Sequence, residues 1–179
     1  MLGRLRIRTI PAARLGLPQP EETGRDFAEN ALIKAQGATR IAGMPAIADD
    51  SGLSVDALGG APGVHTADWT MTPSGRDYPR AMARLWRLLE EASAPEPMTA
   101  RFFSVICLAG PDGDHKLFEG SVAGRITWPP RGEGGFGFDP VFQPDGHGQT
   151  FAEMETGRKN RISHRARALE KLMEYCRAG

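Results

Sequence analysis

The sequence predicts one domain of the α/β class, and three features of the chain support this. A length of 179 residues is ordinary for one domain with its own hydrophobic core. Segments with the apolar spacing of helices alternate with short apolar runs that are typical of strands. Neither an internal repeat nor a linker interrupts the sequence. We therefore treat residues 1–179 as a single unit.

The first predicted elements are a strand and a long helix. Residues 5–10 alternate apolar and basic side chains, which predicts a strand. A helix is predicted over residues 27–42, because Asp26 is a favourable N-cap and Glu29 stands at the capping-box position. Gly43 and Pro45 mark the end of this helix, and its apolar stripe consists of Phe27, Ala31, Ala35, Ala38 and Ile41.

The later elements follow from the same two kinds of pattern. Their predicted order is a buried strand at residues 46–48, a partner strand at 53–58, a helix at 79–92, strands at 102–108 and 117–128, and a helix from about Ser163. The helix at 79–92 is predicted to be a packing helix, with these inward side chains: Met82, Leu85, Trp86 and Leu89.

Composition and charge narrow the classes of function. The chain carries 22 Lys and Arg against 22 Asp and Glu, which argues against a general nucleic-acid binder. No stretch approaches the about 18 apolar residues of a membrane span, and the N-terminus lacks a secretory apolar run. Cys107 and Cys176 form no metal-binding pair and are expected to be reduced. We expect a cytoplasmic protein without a membrane partner.

Two adjacent carboxylates, Asp49 and Asp50, stand where the predicted buried strand ends. Such neighbours repel each other and lose hydration, so a positive partner is expected, and Mg²⁺ suits hard oxygen ligands together with phosphates. Because strand residues alternate faces, only one of the two can share a face with a given site. The alternative is a solvated turn, since Asp-Asp-Ser-Gly is good turn chemistry.

Three charged residues lie just before the first helix or within it. Glu22 precedes the helix and could reach a metal ion. Glu29 could simply complete the helix cap. Lys34 lies further along the helix and could meet a phosphate, or it could be an ordinary surface lysine. The pattern alone leaves these alternatives open.

A glycine-rich segment, residues 131–137, leads into Phe136-Gly137-Phe138-Asp139. Glycine lets the backbone approach a flat ligand, and two aromatic rings separated by Gly137 could stack on a purine. Asp139 could then accept a hydrogen bond from the edge of the base or orient backbone amides. A glycine–phenylalanine bulge packed in the core is the structural alternative.

Residues 158–167 form the one dense basic run of the sequence and are predicted to precede and open the last helix. The N-terminus of a helix favours anions, and the added basic side chains strengthen that preference. In a chain of zero net charge, such a cluster favours an anionic ligand. A solvated basic face is the alternative.

The order of these motifs closely resembles the inosine/xanthosine triphosphate pyrophosphatase family, which hydrolyses deaminated purine nucleoside triphosphates. The resemblance covers roughly residue 15 to the C-terminus, apart from a divergent stretch at about 68–100. The motifs that carry it are Phe27…Glu29-Asn30-Ala31…Lys34, Ala48-Asp49-Asp50-Ser51-Gly52-Leu53…Pro62-Gly63, Gly135-Phe136-Gly137-Phe138-Asp139-Pro140, and Lys159-Asn160…Ser163-His164-Arg165.

The resemblance implies an elongated twisted mixed sheet flanked by helices, two lobes around a central cleft, and a homodimer. It implies that a purine nucleoside triphosphate is cleaved, with Mg²⁺, to the monophosphate and pyrophosphate. Asp50 would be the proton acceptor and a metal ligand, and Glu22 the second carboxylate near the metal. The residues implied to bind substrate are Ser51; Lys34 and Lys159 at the phosphates; Phe136, Gly137 and Phe138 around the base; and Asp139, His164 and Arg165 at its edge.

The sequence departs from the family pattern in three places. The family opens with a strand and a Thr/Ser-x-Asn-x-x-Lys turn that grips the triphosphate, and we expect both to be missing here. Asp68 stands where the family usually has arginine, and Phe138 replaces a commoner tyrosine or tryptophan. Two alternatives to an active pyrophosphatase stay open. One is an impaired nucleotide-binding paralogue or dimer partner, and the other is an unrelated Mg²⁺ phosphatase.

Overall fold

The computed structural model describes residues 8–178. In this part of the chain, four α-helices and six strands follow one another in the order α1 (Phe27–Ala42), β1 (Ala46–Val55), β2 (Met71–Thr72), β3 (Gly75–Arg76), α2 (Tyr78–Glu91), β4 (Thr99–Ala109), β5 (His115–Ile126), β6 (Phe142–Pro144), α3 (Thr156–Ile162) and α4 (His164–Ala178). The predicted α/β class is confirmed. None of these helices combines the length and the hydrophobicity that crossing a membrane requires.

The larger of the two sheets has the strand order β1-β4-β5-β6. Every pairing between its described strands is antiparallel, so this part of the sheet is not mixed as the resemblance implied. Helix α1 packs on the face that carries Val105 and Cys107, whereas α4 packs on the face that carries Ile106. Because successive strand residues point to opposite faces, the two helices cover opposite sides of the sheet.

The segment that contains the two aspartates is one continuous strand. The prediction of two strands joined by an Asp-Asp-Ser-Gly turn was wrong, because β1 pairs with β4 along its whole length, from Ala46 to Val55. Gly52 meets a steric need here. A Cβ atom at this position would lie 2.6 Å from Thr66 Oγ1 and 2.8 Å from a ring carbon of Phe27. Because the whole segment from Ala46 to Val55 pairs with β4, Asp49 and Asp50 lie within β1 and point to opposite faces.

Helix α1 has the predicted bounds, Phe27–Ala42, and the predicted cap. The Asp26 carboxylate accepts the backbone N–H of Glu29 at 2.8 Å, and the Glu29 carboxylate accepts that of Arg25 at 2.7 Å. Glu29 is thus engaged in the cap. Gly43 ends the helix in the left-handed conformation, with φ of 64°.

Several other predicted bounds differ from the structure. Half of the strand predicted at residues 5–10 lies outside the described residues, and residues 8–10 adopt no regular structure. The helix predicted from Ser163 begins one residue later, and Ser163 itself separates α3 from α4 in an extended conformation. The basic run at 158–167 is therefore divided between two helices. Trp86, which was predicted to face inward, is half-buried, packs against the main hydrophobic cluster, and stacks on Trp128 at 5.6 Å between ring centroids.

Close contact between α4 and the sheet brings the start of this helix to the main hydrophobic cluster. A Cβ atom at Gly120, in β5, would overlap the backbone carbonyl oxygen of His164 and approach Ala168 N to 2.5 Å. His164 itself stacks on Phe102, which belongs to that cluster, with 4.9 Å between ring centroids. Glycine at position 120 thus lets α4 carry His164 and Arg165 to the side of β1.

Candidate active site

Three charged side chains converge beside α1 and form what we call the acidic cluster: Glu22, Lys34 and Asp50. The Lys34 ammonium lies 2.8 Å from Asp50 Oδ1 and 3.4 Å from Glu22 Oε1. Asn30, one helical turn before Lys34, donates from Nδ2 to Asp50 Oδ2 at 3.4 Å. The helix α1 thus supplies a cation and an amide to a carboxylate in β1.

Burial sets the electrostatics of Asp50, whose side chain is only 9% exposed. Removal from water raises the pKa of this carboxyl above its ordinary value, and the nearby Glu22 carboxylate adds to the rise. The ammonium of Lys34 and the amide of Asn30 oppose this rise. A carboxylate with a raised pKa is a better proton acceptor than a fully solvated one.

The neighbouring carboxylate, Asp49, belongs to a second group on the other face of β1. Arg165 donates to Asp49 Oδ2 from Nε at 3.2 Å and from Nη2 at 2.9 Å, and Ser51 donates to the same oxygen at 3.1 Å. Although burial raises the pKa of Asp49, the guanidinium of Arg165 holds it below its ordinary value. The alternation predicted for the aspartates thus gives them different partners.

A cavity of about 150 Å³ opens beside this second group, and we call it the base slot. It gathers residues from the edge of β1, the glycine-rich loop and the two C-terminal helices. Most of the residues implied to bind substrate line it, namely Ser51, Phe136, Gly137, Phe138, Asp139, Lys159, His164 and Arg165. Lys34 does not line this cavity and belongs to the acidic cluster, together with the implied metal ligands.

The two phenylalanines of the slot differ in how much of each ring is exposed. Phe138 lies in the main hydrophobic cluster with only 1% of its surface exposed. Its ring therefore packs beneath the slot and offers no free face on which a base could stack. Phe136 is 67% exposed and contacts Tyr78 edge-to-face, with 5.1 Å between ring centroids. Gly137 separates the two phenylalanines and has a left-handed φ of 66°. The backbone turn at this glycine points the two rings in different directions.

Asp139 and Lys159 contact each other inside the slot. The Lys159 ammonium and the backbone N–H of Phe136 both donate to Asp139 Oδ2. Asp139 is therefore occupied in holding the backbone of the glycine-rich loop, one of the two functions considered for it from sequence. Lys159 faces this carboxylate and lies 5.5 Å from the ring centroid of Phe151.

His164 lines the slot and contains an unpaired, buried polar atom. The residue is 8% exposed, and its buried Nδ1 has no hydrogen-bond partner among the described residues. Burial, reinforced by the nearby charges of Arg165 and Lys159, lowers the pKa of this imidazole to about 3. A neutral ring with a free nitrogen can hydrogen-bond to an uncharged heterocycle.

A second cavity, of about 520 Å³, adjoins the acidic cluster, and we call it the acidic pocket. Its lining includes Glu21, Glu22, Asn30, Asp68 and Arg76. No three His, Cys, Asp or Glu side chains within residues 8–178 come close enough together to form a metal site of protein ligands alone. The two carboxylates that could share a divalent cation are Glu22 and Asp50, which the Lys34 ammonium bridges.

Sequence reasoning assigned no function to four residues of these two cavities: Asn30, Thr66, Arg76 and Tyr78. Asn30 precedes Lys34 by four residues, so their shared helix face was a signal that could have identified it. Arg76 and Tyr78 lie in the stretch that diverges from the family pattern. No local motif marks them, and only the packing of α2 against the slot reveals them.

The Ham1 family matches residues 2–175 of the chain. The dITP/XTP pyrophosphatase of Ruegeria pomeroyi is 51% identical over 173 residues, which cover 97% of this chain and 85% of that protein. The dITP/XTP pyrophosphatase of Agrobacterium fabrum is 49% identical over 187 residues, covering 98% of this chain and 87% of the relative.

Solved structures agree with the sequence comparison. A HAM1 protein from Coxiella burnetii superposes with a TM-score of 0.92 at 35% identity, covering 99% of this chain and 93% of that one. The Staphylococcus aureus Ham1 protein gives a TM-score of 0.83 at 34% identity, with coverages of 93% and 84%. With a family match over nearly the whole chain and relatives about half identical to it, this chain belongs to the Ham1 family.

Proposed function

We propose that this chain hydrolyses deaminated purine nucleoside triphosphates, such as dITP and XTP, to the monophosphate and pyrophosphate. The observation that carries the proposal is the pairing of two unlike sites across one strand. A proton-accepting carboxylate in an acidic cluster lies on one face of β1, and an aromatic and basic slot lies beside the other face. Relatives named dITP/XTP pyrophosphatases support the choice of substrate.

Asp50 acts as the proton acceptor in the proposed reaction. Its Oδ1 is engaged by Lys34 at 2.8 Å, whereas Oδ2 has a longer contact, 3.4 Å, with Asn30. Oδ2 is therefore the oxygen free to take a proton from a water molecule that attacks the α-phosphorus. Lys34 keeps the carboxylate oriented and stabilises its charge before the proton arrives.

The donor set fits Mg²⁺. The ion is commonly bound by one or two carboxylates together with substrate phosphates and water. Glu22, which lines the acidic pocket, and Asp50, which contacts the same Lys34 ammonium, provide two carboxylates. The single ammonium of Lys34 contacts both carboxylates, and this shared positive partner supports the proposal of a shared cation. When bound, Mg²⁺ would neutralise phosphate charge and orient the triphosphate for in-line attack.

The base is recognised in the slot, beside His164 and Arg165. A hypoxanthine or xanthine base presents a keto oxygen at position 6, which accepts a hydrogen bond, whereas adenine presents an amino group there. His164 and Arg165 both line the slot, where the one ring N–H of the neutral imidazole and the guanidinium would supply donors for this edge. A buried donor left facing an amino group costs about 1–3 kcal/mol, and this favours the deaminated base.

Product analysis of the purified chain tests the proposal. The chain is incubated with dITP, XTP or dATP and Mg²⁺, and pyrophosphate and orthophosphate are measured separately. We expect pyrophosphate and monophosphate from dITP and XTP, and much less product from dATP. Orthophosphate as the first product would instead identify a phosphatase.

The impaired-paralogue alternative predicts a different combination of results. Such a protein would bind dITP, raising its melting temperature, yet would release no pyrophosphate. Measuring thermal shift and turnover on the same sample separates the two functions.

The homodimer and the cytoplasmic location implied by the resemblance stay predictions. Light scattering coupled to size exclusion measures the first, and fractionation of cells that express the chain measures the second. We propose no nucleic-acid partner, because the basic groups of the slot are balanced by the carboxylates of Asp49 and Asp139.

A further inference from the structure

A short hairpin, residues 70–78, lies where the base slot and the acidic pocket meet. Among the described residues that line these two cavities, Ala67 and Arg76 are the two that line both. Asp50 and Ser51 point to opposite faces of β1 because they are adjacent in a strand. A ligand that reaches from the slot to the acidic cluster must therefore pass around the edge of β1, beside this hairpin.

The hairpin holds Arg76 in a defined place. Met71 pairs with Arg76 in the ladder between β2 and β3, and the backbone N–H of Asp77 donates to Thr70 O at 2.7 Å. The buried hydroxyl of Thr70 donates in turn to Ala67 O at 2.7 Å. Asp77 then caps α2 by accepting the backbone N–H of Arg80 at 2.9 Å. Bonds on both sides of Arg76 thus fix its backbone.

Tyr78 links Arg76 to the wall of the base slot. The Arg76 Nη1 atom lies 3.5 Å from the Tyr78 hydroxyl oxygen, and the Tyr78 ring contacts Phe136 edge-to-face. Tyr78 is half-buried, so this arrangement supports one side of the guanidinium and leaves the rest of it exposed.

The charge of Arg76 is not balanced by a neighbouring acid within residues 8–178. No carboxylate in that range lies within 4.0 Å of its guanidinium, whereas Arg165 and Lys159 each contact an aspartate. An arginine beside a ligand cavity, free of a carboxylate, is suited to bind phosphate, because its planar fork matches two phosphate oxygens.

From these observations we propose that Arg76 is a substrate-binding residue, which contacts the phosphate chain where the nucleotide passes from the base slot to the acidic pocket. This inference rests on the proposed function for the identity of the ligand. Arg76 touches the phosphates, whereas Tyr78 positions its guanidinium. Asp68 lines the same acidic pocket, but its carboxylate contacts His65 at 2.9 Å and not Arg76.

Binding measurements with three ligands of one base test this inference. Isothermal titration with Mg²⁺ present is carried out with inosine, inosine monophosphate and the α,β-methylene analogue of inosine triphosphate, which cannot be cleaved at the α-phosphorus. We expect Arg76→Gln to weaken binding of the two phosphorylated ligands roughly tenfold, as for a lost charge-assisted hydrogen bond. Binding of inosine should change by less than about twofold, and Arg76→Lys should restore part of the loss.

Arg87→Gln is the matched control. Arg87 is 67% exposed on α2, pairs with Glu91 at 3.5 Å, and lines neither cavity. This control should bind all three ligands as the unaltered chain does. Equal affinities for Arg76→Gln and Arg87→Gln, or an equal loss for inosine and the phosphorylated ligands, would overturn the assignment.

The same titrations keep this inference apart from the proposed function. If the unaltered chain binds the analogue in an Arg76-dependent way but releases no pyrophosphate from dITP, the proposed function fails and the assignment of Arg76 stands. If the unaltered chain releases pyrophosphate while Arg76→Gln binds the ligands and turns over dITP normally, the proposed function stands and the assignment of Arg76 fails. A chain that binds none of the three ligands contradicts both.

Discussion

Asp49 and Asp50 are adjacent in the sequence, yet the structure gives them opposite surroundings. Asp49 points towards Arg165 and Ser51. The arginine holds the pKa of its carboxyl below the ordinary value, although partial removal from water alone would raise it. Asp50 points towards α1, where burial raises its pKa. Strand alternation thus converts a pair of identical side chains into one structural ion pair and one candidate base.

The first prediction concerns this candidate base. Asp50→Asn keeps the shape and the contact with Lys34 but removes the proton acceptor. We expect the rate of pyrophosphate release from dITP to fall by about 10²–10⁴-fold, the usual contribution of a general base. The measurement is kcat with dITP at saturating Mg²⁺, with circular dichroism to show that the fold is retained.

Asp114→Asn makes the same chemical change at a distance from the site. Asp114 is exposed in the turn between β4 and β5, and we expect its variant to keep full activity. An Asp50→Asn protein that is as active as Asp114→Asn would refute the function assigned to Asp50.

The second prediction concerns the buried imidazole of His164. The pKa of this group is lowered to about 3 in the folded chain, against about 6.5 when it is unfolded. Its contribution to stability is therefore complete above pH 6.5 and is lost as the pH falls towards 3, because the unfolded chain takes up the proton first. At pH 5.5 the loss amounts to about 1 kcal/mol.

Urea unfolding at pH 8 and pH 5.5 measures this effect. His164→Phe keeps a ring against Phe102 but cannot titrate, so its unfolding free energy should fall by about 1 kcal/mol less than that of the unaltered chain. The surface variant His115→Gln should retain the full pH dependence. Parallel pH profiles for His164→Phe and the unaltered chain would show that His164 is not held neutral by the fold.

At the scale of elements, the contact of α4 with β5 decides where His164 and Arg165 lie. The third prediction follows from Gly120, where a Cβ atom would overlap the carbonyl oxygen of His164. Because that atom belongs to the backbone, the helix has to move. We expect Gly120→Ala to lower the unfolding free energy by about 1–3 kcal/mol, the usual cost of overpacking, and to raise KM for dITP.

Gly148→Ala is the control for this change. Gly148 has open space at its Cβ position, and no left-handed backbone angle forbids a side chain there. Denaturant unfolding and initial rates on both variants give the comparison. If Gly120→Ala is as stable as Gly148→Ala, the close approach of helix and sheet does not position the site.

At the scale of the whole molecule, the site joins segments that are far apart in the chain. Arg165 reaches Asp49 across 116 positions, and Lys34 reaches Asp50 across 16. A nucleotide that occupies both cavities would contact groups that come together only in the folded state. Such a ligand stabilises the native state by mass action.

The fourth prediction uses this linkage to test the metal. The α,β-methylene analogue of inosine triphosphate at 100 times its Kd should stabilise the chain by about 2.7 kcal/mol in the presence of Mg²⁺. Removing the ion with a chelator should reduce this stabilisation, because phosphate charge would then face Glu22 and Asp50 unscreened. Thermal unfolding with and without chelator measures the change.

Glu22→Gln supplies the control for the metal, since it removes one carboxylate of the proposed ligand pair. Its ligand-induced stabilisation should depend less on Mg²⁺ than that of the unaltered chain. A stabilisation that is the same with and without chelator in the unaltered chain would argue against a Mg²⁺–nucleotide complex as the ligand.

Local patterns in the sequence were sufficient for the features that depend on neighbours along the chain. The bounds of α1 follow from Asp26 and Gly43, since capping involves residues within one turn. The opposite directions of Asp49 and Asp50 follow from strand geometry alone. The ordered motifs around Lys34, Asp50 and Arg165 also predicted the family, because each motif keeps its residue types at short spacing.

The tertiary structure alone decided which side chains meet. It made residues 46–55 one strand by pairing them with β4, buried the ring of Phe138 while exposing that of Phe136, and set Lys159 against Asp139. It also placed Arg76 between the two cavities. These outcomes depend on packing between segments tens of residues apart, and local propensity carries no information about such contacts.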